Sequence, residues 1–416
     1  MSKIDDLIKE LCPDGVKFQE LGKVAKFCRG KSLSKAAIGT GDVPIILYGE
    51  LYTTYGNYIV DVVSRANYKT AIKGTEVVRG NIVMPITSTT KEAQIGKASA
   101  ILTDESIYLG GDAIALKHNQ EPGYLVHLLN SRWFESLKMR ERTGTTVSHL
   151  SPKGIAKIKI PIPPLEVQKE IVRVLDSFTE LEAELEAELE ARKKQYAYYR
   201  NTLLTFTGGV KYLPLGNVLI SLNTGLNPRQ FFKLNTEDAS NFYVTIKEIK
   251  GGSLCITSKT DRINDKALEL CNNRSNLEVG DVLFSGTGTI GETYEIRDEP
   301  YNWNIKEGVY SLKPDSSKIN STFLSHILKT KSMKKYYTNK AAGGTVKSVS
   351  MSELKKIPIP VPTLEEQQKI TEILDKFEKL TNDISIGLPA EIEARRKQYE
   401  YYRNKLLTFK ELECSK

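Results

Sequence analysis

The hydrophobic pattern along the chain runs through the same order of periods twice. Short apolar and β-branched runs, Val43 to Leu47, Tyr58 to Val63, Asn81 to Ile86 and Ala113 to Lys117, predict strands. A helical stretch, one further strand and a long run with apolar residues three and four apart come next. In the second half Phe242 to Ile246, Asp281 to Ser285 and Gly308 to Leu312 take the strand places, before a second long run of the same kind. The expected fold class is α+β. Pro161-Ile-Pro-Pro164 and Pro358-Ile-Pro-Val-Pro362 stand before the long runs as stiff, extended punctuation, because proline fixes φ and disfavours helix in the residue ahead of it. Thr363-Leu-Glu-Glu366 adds a capping box at the second helix start.

The long helices carry Ile171, Val174, Phe178, Leu181 and Leu185 in the first copy and Ile370, Ile373, Phe377, Leu380 and Ile384 in the second. This alternating three-four spacing predicts a coiled-coil seam. At about 1.5 Å per residue the stretch from Leu165 to Phe206 spans roughly 60 Å, longer than a small domain is wide, which favours pairing with the other copy over lying on its own domain. An antiparallel pair would place one globular domain at each end of a spacer and give the molecule a pseudo-twofold axis.

Self-similarity accounts for this double pattern. Residues 163–206 and 362–409 share P-x-L-E-x-Q, I-x-x-x-L-D-x-F and E-A-R-x-K-Q-Y-x-Y-Y-R-N-x-L-L-T-F. Upstream, Leu125-Val-His127-Leu answers Leu324-Ser-His326-Ile, and Gly15-Val-Lys17 answers Gly209-Val-Lys211. Between these anchors the halves diverge, as expected of a common scaffold holding two different recognition surfaces. The implied domains are residues 1–160, a first globular domain; 161–206, its long helix; 207–357, a second globular domain; and 358–416, the second helix and tail.

Composition narrows the function classes. Hydrophobic residues make up 40% and charged residues 26%, and no apolar run approaches the roughly 18 residues of a membrane span. A polar start, Met1-Ser-Lys-Ile-Asp-Asp, leaves the cytoplasm as the default compartment. Five cysteines without a C-x-x-C pair, and scattered histidines, support neither a disulfide framework nor a metal site. A net charge of +8 suits a polyanion, the more so because residues 179–190 hold much of the glutamate and leave the rest of the chain more basic.

The motifs that could carry catalysis fail on context. Gly286-Thr-Gly288-Thr-Ile-Gly291 matches a dinucleotide-binding pattern, but strand-like residues rather than a helix follow it. Glu248-Ile-Lys250 resembles a nuclease E-x-K, yet no Pro-Asp stands upstream in that half. The single Pro-Pro, Pro163-Pro164, is not flanked as in a base-amino methyltransferase motif. His127 and His326 occupy the same place in the repeat, as scaffold residues do. No catalytic residue is assigned. What remains is chemistry for reading DNA: side chains that pair with purine edges and phosphates. The candidates in the first half are Arg29, Lys31, Tyr48, Tyr52, Thr54, Tyr55, Asn57, Arg65 and Lys69, with Thr87, Thr89 and Lys91 in a hydroxyl-rich loop. Those in the second are Asn227, Arg229, Lys259, Arg262, Arg274 and Trp303, with Thr287 and Thr289 in the glycine loop.

The duplicated P-x-L-E-x-Q motif, the I-x-x-x-L-D-x-F helix, the R-x-K-Q-Y-x-Y-Y-R-x-x-L-L-x-F ending and Gly280-Asp-Val-Leu-Phe-Ser-Gly286 resemble the specificity subunit of type I restriction-modification systems, over essentially the whole chain. The resemblance implies two target-recognition domains joined by two helices in an antiparallel coiled coil, reading a split sequence with a nonspecific gap in double-stranded DNA. It implies no cofactor in this chain. S-adenosylmethionine would belong to two modification subunits that methylate adenine N6, and ATP with magnesium to helicase-nuclease restriction subunits. A stand-alone DNA-binding or structural protein, or an unrecognised DNA-modifying enzyme, are the competing classes. The near-identical helix ends, Tyr196, Tyr198, Tyr199 and Arg200 with Tyr399, Tyr401, Tyr402 and Arg403, are the candidate partner interface, since a symmetric pair of partners needs the same surface twice. The tandem array Leu181-Glu-Ala-Glu-Leu185-Glu-Ala-Glu-Leu189 predicts a continuous first helix. In the second copy the offset grows from 199 (Leu364 against Leu165) to 203 (Tyr402 against Tyr199), and Gly387-Leu388-Pro389 predicts a break.

Overall fold

Alternating apolar positions in each half close into a sheet of the same pairing order, and each half leads through a proline-rich strand into a long helix. The computed structural model describes residues 2–33, 35–89, 94–144, 147–343, 347–382 and 386–412. It forms two units, Met1–Ala183 with Ala394–Lys416, and Glu184–Glu393. The helices that matter below are α1 (Pro122–Leu129), α2 (Leu165–Leu203), α3 (Ser321–Leu328), α4 (Leu364–Asn382) and α5 (Leu388–Leu406).

In the first unit the main sheet runs in the order Lys26–Arg29, Ala113–Lys117, Ile82–Pro85, Ser99–Ile101 and Tyr58–Ile59. The second unit repeats the order with Leu219–Thr224, Val309–Pro314, Val282–Ser285 and Thr293–Glu295. A smaller sheet accompanies each, built around a parallel pair: Val43–Ile46 with Ile107–Leu109, and Asn241–Val244 with Trp303–Ile305. The proline-rich strands Lys159–Pro161 and Pro358–Val361 each pair antiparallel with the strand that opens their own half. Both are two-stranded ribbons, where a missing proline N–H costs least.

The glutamine of P-x-L-E-x-Q explains why that motif occurs twice. Gln168 is buried; its amide donates to the Pro163 carbonyl at 2.8 Å and its oxygen accepts the N–H of Glu121, the residue capping α1, at 3.0 Å. Gln367 does the same, donating to Pro362 at 3.0 Å and accepting from Asn320, the cap of α3, at 2.8 Å. One side chain thus satisfies backbone groups at a helix start and in the proline segment just past the strand together.

The three-four seam is only partly a seam. Val167, Ile171 and Leu175 of α2 are fully buried in the core of the first unit, and Leu374 of α4 in that of the second, so each long helix begins as an amphipathic helix on its own domain. Leu181 is exposed, as are Ile373 and Leu380, and Ile384 lies outside the described residues. Pairing between copies concentrates on aromatic rings. In the first unit Phe178 of α2 stacks on Tyr402 of α5 at 5.2 Å and Glu182 bonds Arg396 at 2.6 Å, a register that runs antiparallel. Within the second unit Tyr199 of α2 stacks on Phe377 of α4 at 5.4 Å. The helix ends cross over: Leu204 and Phe206 of the first copy pack in the second unit's core, and Leu406, Leu407 and Phe409 of the second copy in the first unit's. Helix α2 is continuous through the Leu-Glu-Ala-Glu array, whereas in the second copy Ile386 and Gly387 are not helical and a helix begins at Leu388, where Pro389 falls in a first turn that needs no N–H from it.

At the centre of each crossing sits a fully buried histidine. His127 Nε2 meets Asp176 Oδ1 at 2.8 Å and its Nδ1 meets the Tyr399 hydroxyl at 3.0 Å. His326 repeats this with Asp375 at 2.9 Å and Tyr196 at 3.2 Å. A carboxylate only accepts, so Nε2 donates to the aspartate, and Nδ1 is the nitrogen that meets the tyrosine hydroxyl. Burial acts to raise the Asp375 carboxyl, but the His326 hydrogen bond and charge, with Arg297 and Lys379, outweigh it and hold the group below the ordinary carboxylate range. Each network joins a histidine and an aspartate of one copy to a tyrosine of the other. Tyr196→Phe or Tyr399→Phe should cost about 1 kcal/mol of stability, and His127→Leu or His326→Leu, which remove the link between aspartate and tyrosine and leave the tyrosine hydroxyl without its ring nitrogen, about 2–3 kcal/mol. Urea unfolding checks this; histidine variants as stable as the parent would show that the networks do not hold the crossings.

Candidate nucleic-acid interface

Both units build a cleft at the same place, and backbone hydrogen bonds make the correspondence residue by residue. The Ile86 N–H donates to the Asp112 carbonyl at 2.9 Å and Leu150 N–H to Ile86 at 2.9 Å; Gly286 N–H donates to Gly308 at 2.8 Å and Val349 N–H to Gly286 at 2.9 Å. Thr87, Asp112 and His149 therefore match Thr287, Gly308 and Ser348. Alongside, the edge strand of the main sheet ends in a glycine, Gly30 or Gly225, over which another backbone segment passes so closely that a Cβ would lie 1.8 Å from the Gly110 oxygen or 2.0 Å from the Ile305 oxygen. Only glycine permits that crossing.

In the first unit the crossing opens a shallow cleft of about 600 Å³ lined by Arg29, Lys31, Ser32, Lys73 and Asp112. The second unit has one of about 270 Å³, lined by Lys247, Lys259, Thr287 and Lys306 with Glu248, Asp261 and Glu307. Three cations face one carboxylate in the first and three in the second. The carboxylates of the second are engaged by neighbours: Glu248 by Thr245, Asp261 by Asn235 and Glu307 by Asn227, at 2.7–2.9 Å. Lysines thus stand toward solvent among fixed acceptors, an arrangement suited to phosphate and base-edge contacts.

Of the residues expected to touch DNA, the structure gathers Arg29 and Lys31 in the first cleft and Lys259 and Thr287 in the second. Thr54, Lys69 and Thr89 are exposed in the first unit; Arg229, Arg274 and Thr289 are exposed in the second. Tyr48 is half-buried against the core, and Tyr52 donates to the Thr87 carbonyl at 2.9 Å, its hydroxyl pushed up in pKa chiefly by burial. Asn57 accepts from Asn130 at 3.2 Å, and Arg65 grips Glu105 with two hydrogen bonds at 3.1 and 3.2 Å. Asn227 caps the short helix that begins at Pro228, and the Arg262 guanidinium lies 4.7 Å from the centre of the Phe242 ring. Three expectations are corrected, the first being Thr87, which is buried with its hydroxyl held between Asp112 and His149. Tyr55 and Trp303 are buried in apolar cores, where their rings fill space between strands. Lys91 lies outside the described residues. Sequence reasoning missed Lys73, Lys247, Lys306, Asp112 and His149; aligning the copies strand by strand would have found the last two, because it sets Gly308 opposite Asp112 and Ser348 opposite His149.

The helix-end residues divide into two kinds. Tyr196 is buried and Tyr399 half-buried in the histidine networks, with Arg200 and Arg403 stacked on their rings at 4.9 and 5.0 Å. Tyr198 and Tyr401 are 66% and 62% exposed, which leaves these two free to meet a partner, while Tyr199 and Tyr402 are spent largely on Phe377 and Phe178.

The catalytic look-alikes fall to structural roles. The glycine loop after Val282–Ser285 returns as the strand Thr293–Glu295, so no helix N-terminus faces it, and a Cβ on Gly286 would strike the Tyr310 ring at 2.2 Å. Glu248 closes a capping box with Thr245. Among the described residues His326, Asp375 and Glu378 come near enough to hold a metal ion, but the Lys329 ammonium already pairs with Glu378 at 2.6 Å and His326 hydrogen-bonds Asp375 at 2.9 Å. Burial pushes the Cys12 thiol up and that of Cys271 up to about 11, away from reactivity.

Known proteins share this build. The sequence matches the family described as "Type I restriction modification DNA specificity domain" twice, over residues 13–191 and 215–394. A putative type I restriction enzyme specificity subunit from Haemophilus influenzae is 36% identical over 297 residues, covering 69% of this chain and 72% of its own length. The type I restriction enzyme EcoR124I/EcoR124II specificity subunit of Escherichia coli is 34% identical over 269 residues, covering 63% and 65%. In fold, the crystal structure of a type I restriction-modification S subunit from M. genitalium aligns over 94% of this chain and 96% of its own with a TM-score of 0.53 at 15% identity. A chain from a structural study of complex assembly in the type I R-M system aligns over 95% and 98% with a TM-score of 0.60 at 18% identity. With both halves of the sequence matched and both built on one cleft-bearing plan, the chain belongs to the type I restriction-modification DNA specificity family.

Proposed function

We propose that the chain reads a split target in double-stranded DNA, one half-site for each recognition domain, residues 1–160 and 207–357. It brings to that target two modification subunits that methylate adenine N6 with S-adenosylmethionine, and restriction subunits that use ATP. The observation that carries this reading is the repeated cleft: the same backbone crossing in both units, with Asp112 lining the first cleft and its counterpart Gly308 the second, among different side chains. Cations in the clefts supply salt-dependent affinity for phosphates, and the side chains that differ supply sequence preference. This chain contributes recognition and assembly, while the reactions belong to its partners.

Replacing residues 1–150 by the first domain of another family member should change one half of the methylated sequence and leave the other half as it was. Methylome sequencing reads this directly, and a simultaneous change of both halves would rule out two independent readers. Tyr198→Ala with Tyr401→Ala should weaken assembly with the modification subunits, seen by size-exclusion or native mass analysis, without altering sequence preference; altered preference in an intact assembly would refute the partner role. Deleting one Leu-Glu-Ala-Glu unit between Leu181 and Leu189 removes about 6 Å of helix and turns the far end by roughly 40°. The two half-site sequences should persist with a gap one or two base pairs shorter, and an unchanged gap in an active complex would show that this helix does not measure it.

A further inference from the structure

The first unit carries a side-chain cluster that the second lacks, set on Thr87, which matches Thr287 in backbone position and lies beside the first cleft. Thr87 is buried; its hydroxyl lies 3.1 Å from Asp112 Oδ1 and 3.1 Å from His149 Nδ1, while the Tyr52 hydroxyl donates to its carbonyl. Both Asp112 and His149 are exposed, on either side of Thr87, and Asp112 lines the cleft with Arg29, Lys31 and Lys73. Asp112 holds φ at +62°, a left-handed conformation that glycine adopts freely and other residues adopt at a cost. Its counterpart is Gly308, at φ +92°, and the counterpart of His149 is Ser348. The scaffold position is thus served by glycine in one copy and occupied by a carboxylate under backbone strain in the other. The arrangement does not serve hydrolysis, because the aspartate bonds the threonine rather than orienting the histidine.

Resting on the DNA-reading function proposed above, we infer that Asp112 and His149 are specificity-determining residues for the first unit's half-site, with Asp112 accepting a hydrogen bond from the exocyclic amino group of a base. A carboxylate offers acceptors alone, so it pairs with the N4 amino group of cytosine or the N6 amino group of adenine and repels the carbonyl oxygens that guanine and thymine present at the same place. The three cations around it hold the phosphates and offset the charge it brings toward DNA. Thr87 acts as a positioning residue: by donating to Asp112 it fixes one oxygen and leaves the other for the base.

The test is selection from randomised duplexes by the full-length chain in its assembled complex, comparing the parent with Asp112→Gly, Asp112→Asn and His149→Ser. Glycine and serine are the residues the second copy carries at these positions, so both substitutions suit the backbone. Asp112→Gly should lose on the order of ten-fold discrimination at one base pair of one half-site, with the other half-site unchanged. Asp112→Asn, which adds an amide donor, should admit a carbonyl-bearing base at that same position, and His149→Ser should relax that base pair or its neighbour. Equal preference at every position in all three variants, or a uniform gain in affinity across sequences from removing a negative charge, would overturn the inference. If the parent complex itself selects no sequence, the DNA-reading function falls first and this assignment falls with it.

Discussion

A histidine with no access to water must find a partner for each ring nitrogen, and in this protein no single copy of the repeat supplies both. His127 takes its carboxylate from Asp176 on its own copy and its hydroxyl from Tyr399 on the other; His326 takes Asp375 and then Tyr196. Leaving either nitrogen unsatisfied in the interior costs as much as a sizeable share of a domain's net stability. Each unit is therefore complete only when the far end of the other copy's helix has arrived, and the shared sequence of the two helices follows from that requirement. The L-D-x-F and K-Q-Y-x-Y-Y-R motifs are the two sides of one polar network, separated by about twenty residues along a helix and used in different units.

Around this fixed frame the recognition clefts vary at little structural cost, because the frame below them is backbone. Main-chain hydrogen bonds from Ile86 and Leu150, matched by those of Gly286 and Val349, set the cleft floor without calling on particular side chains. The crossing strands need only the small residues Gly30 and Gly225 at the point of contact. Glycine in one unit and aspartate in the other above that floor change what the cleft presents, while the sheet order stays the same. Such separation of framework from lining is what a family of readers with differing targets requires.

Much was legible from residues alone. The duplication, the strand runs, the continuous Leu-Glu-Ala-Glu helix and the break before Pro389 all follow from local physics: periodicity, the missing proline N–H and the helix preference of leucine, alanine and glutamate. The glycine pattern after Ser285 was readable as something other than a dinucleotide site because the residues behind it alternate like a strand. Local patterning could not say which neighbour a face meets. Three-four spacing describes an apolar stripe, and the first part of that stripe, at Ile171, went to its own domain, while Leu181, Ile373 and Leu380 stayed exposed.

The same limit explains the site. Aromatic residues in divergent segments, Tyr55 and Trp303, are readers or core depending on which way a strand turns, and only packing against Ile46 and Leu109, or Val244 and Ile305, sent them inward. Tyr196 and Tyr198 differ by two residues on one helix, which is enough to bury the first and expose the second. Asp112 and His149 lie 37 positions apart and meet only because two strands converge on Thr87. By itself the sequence determined the repeat, the elements and the family, since these depend on neighbours along the chain. The tertiary structure decided which helix face is buried, which histidine is a joint and which carboxylate lines a cleft, because those depend on neighbours across space.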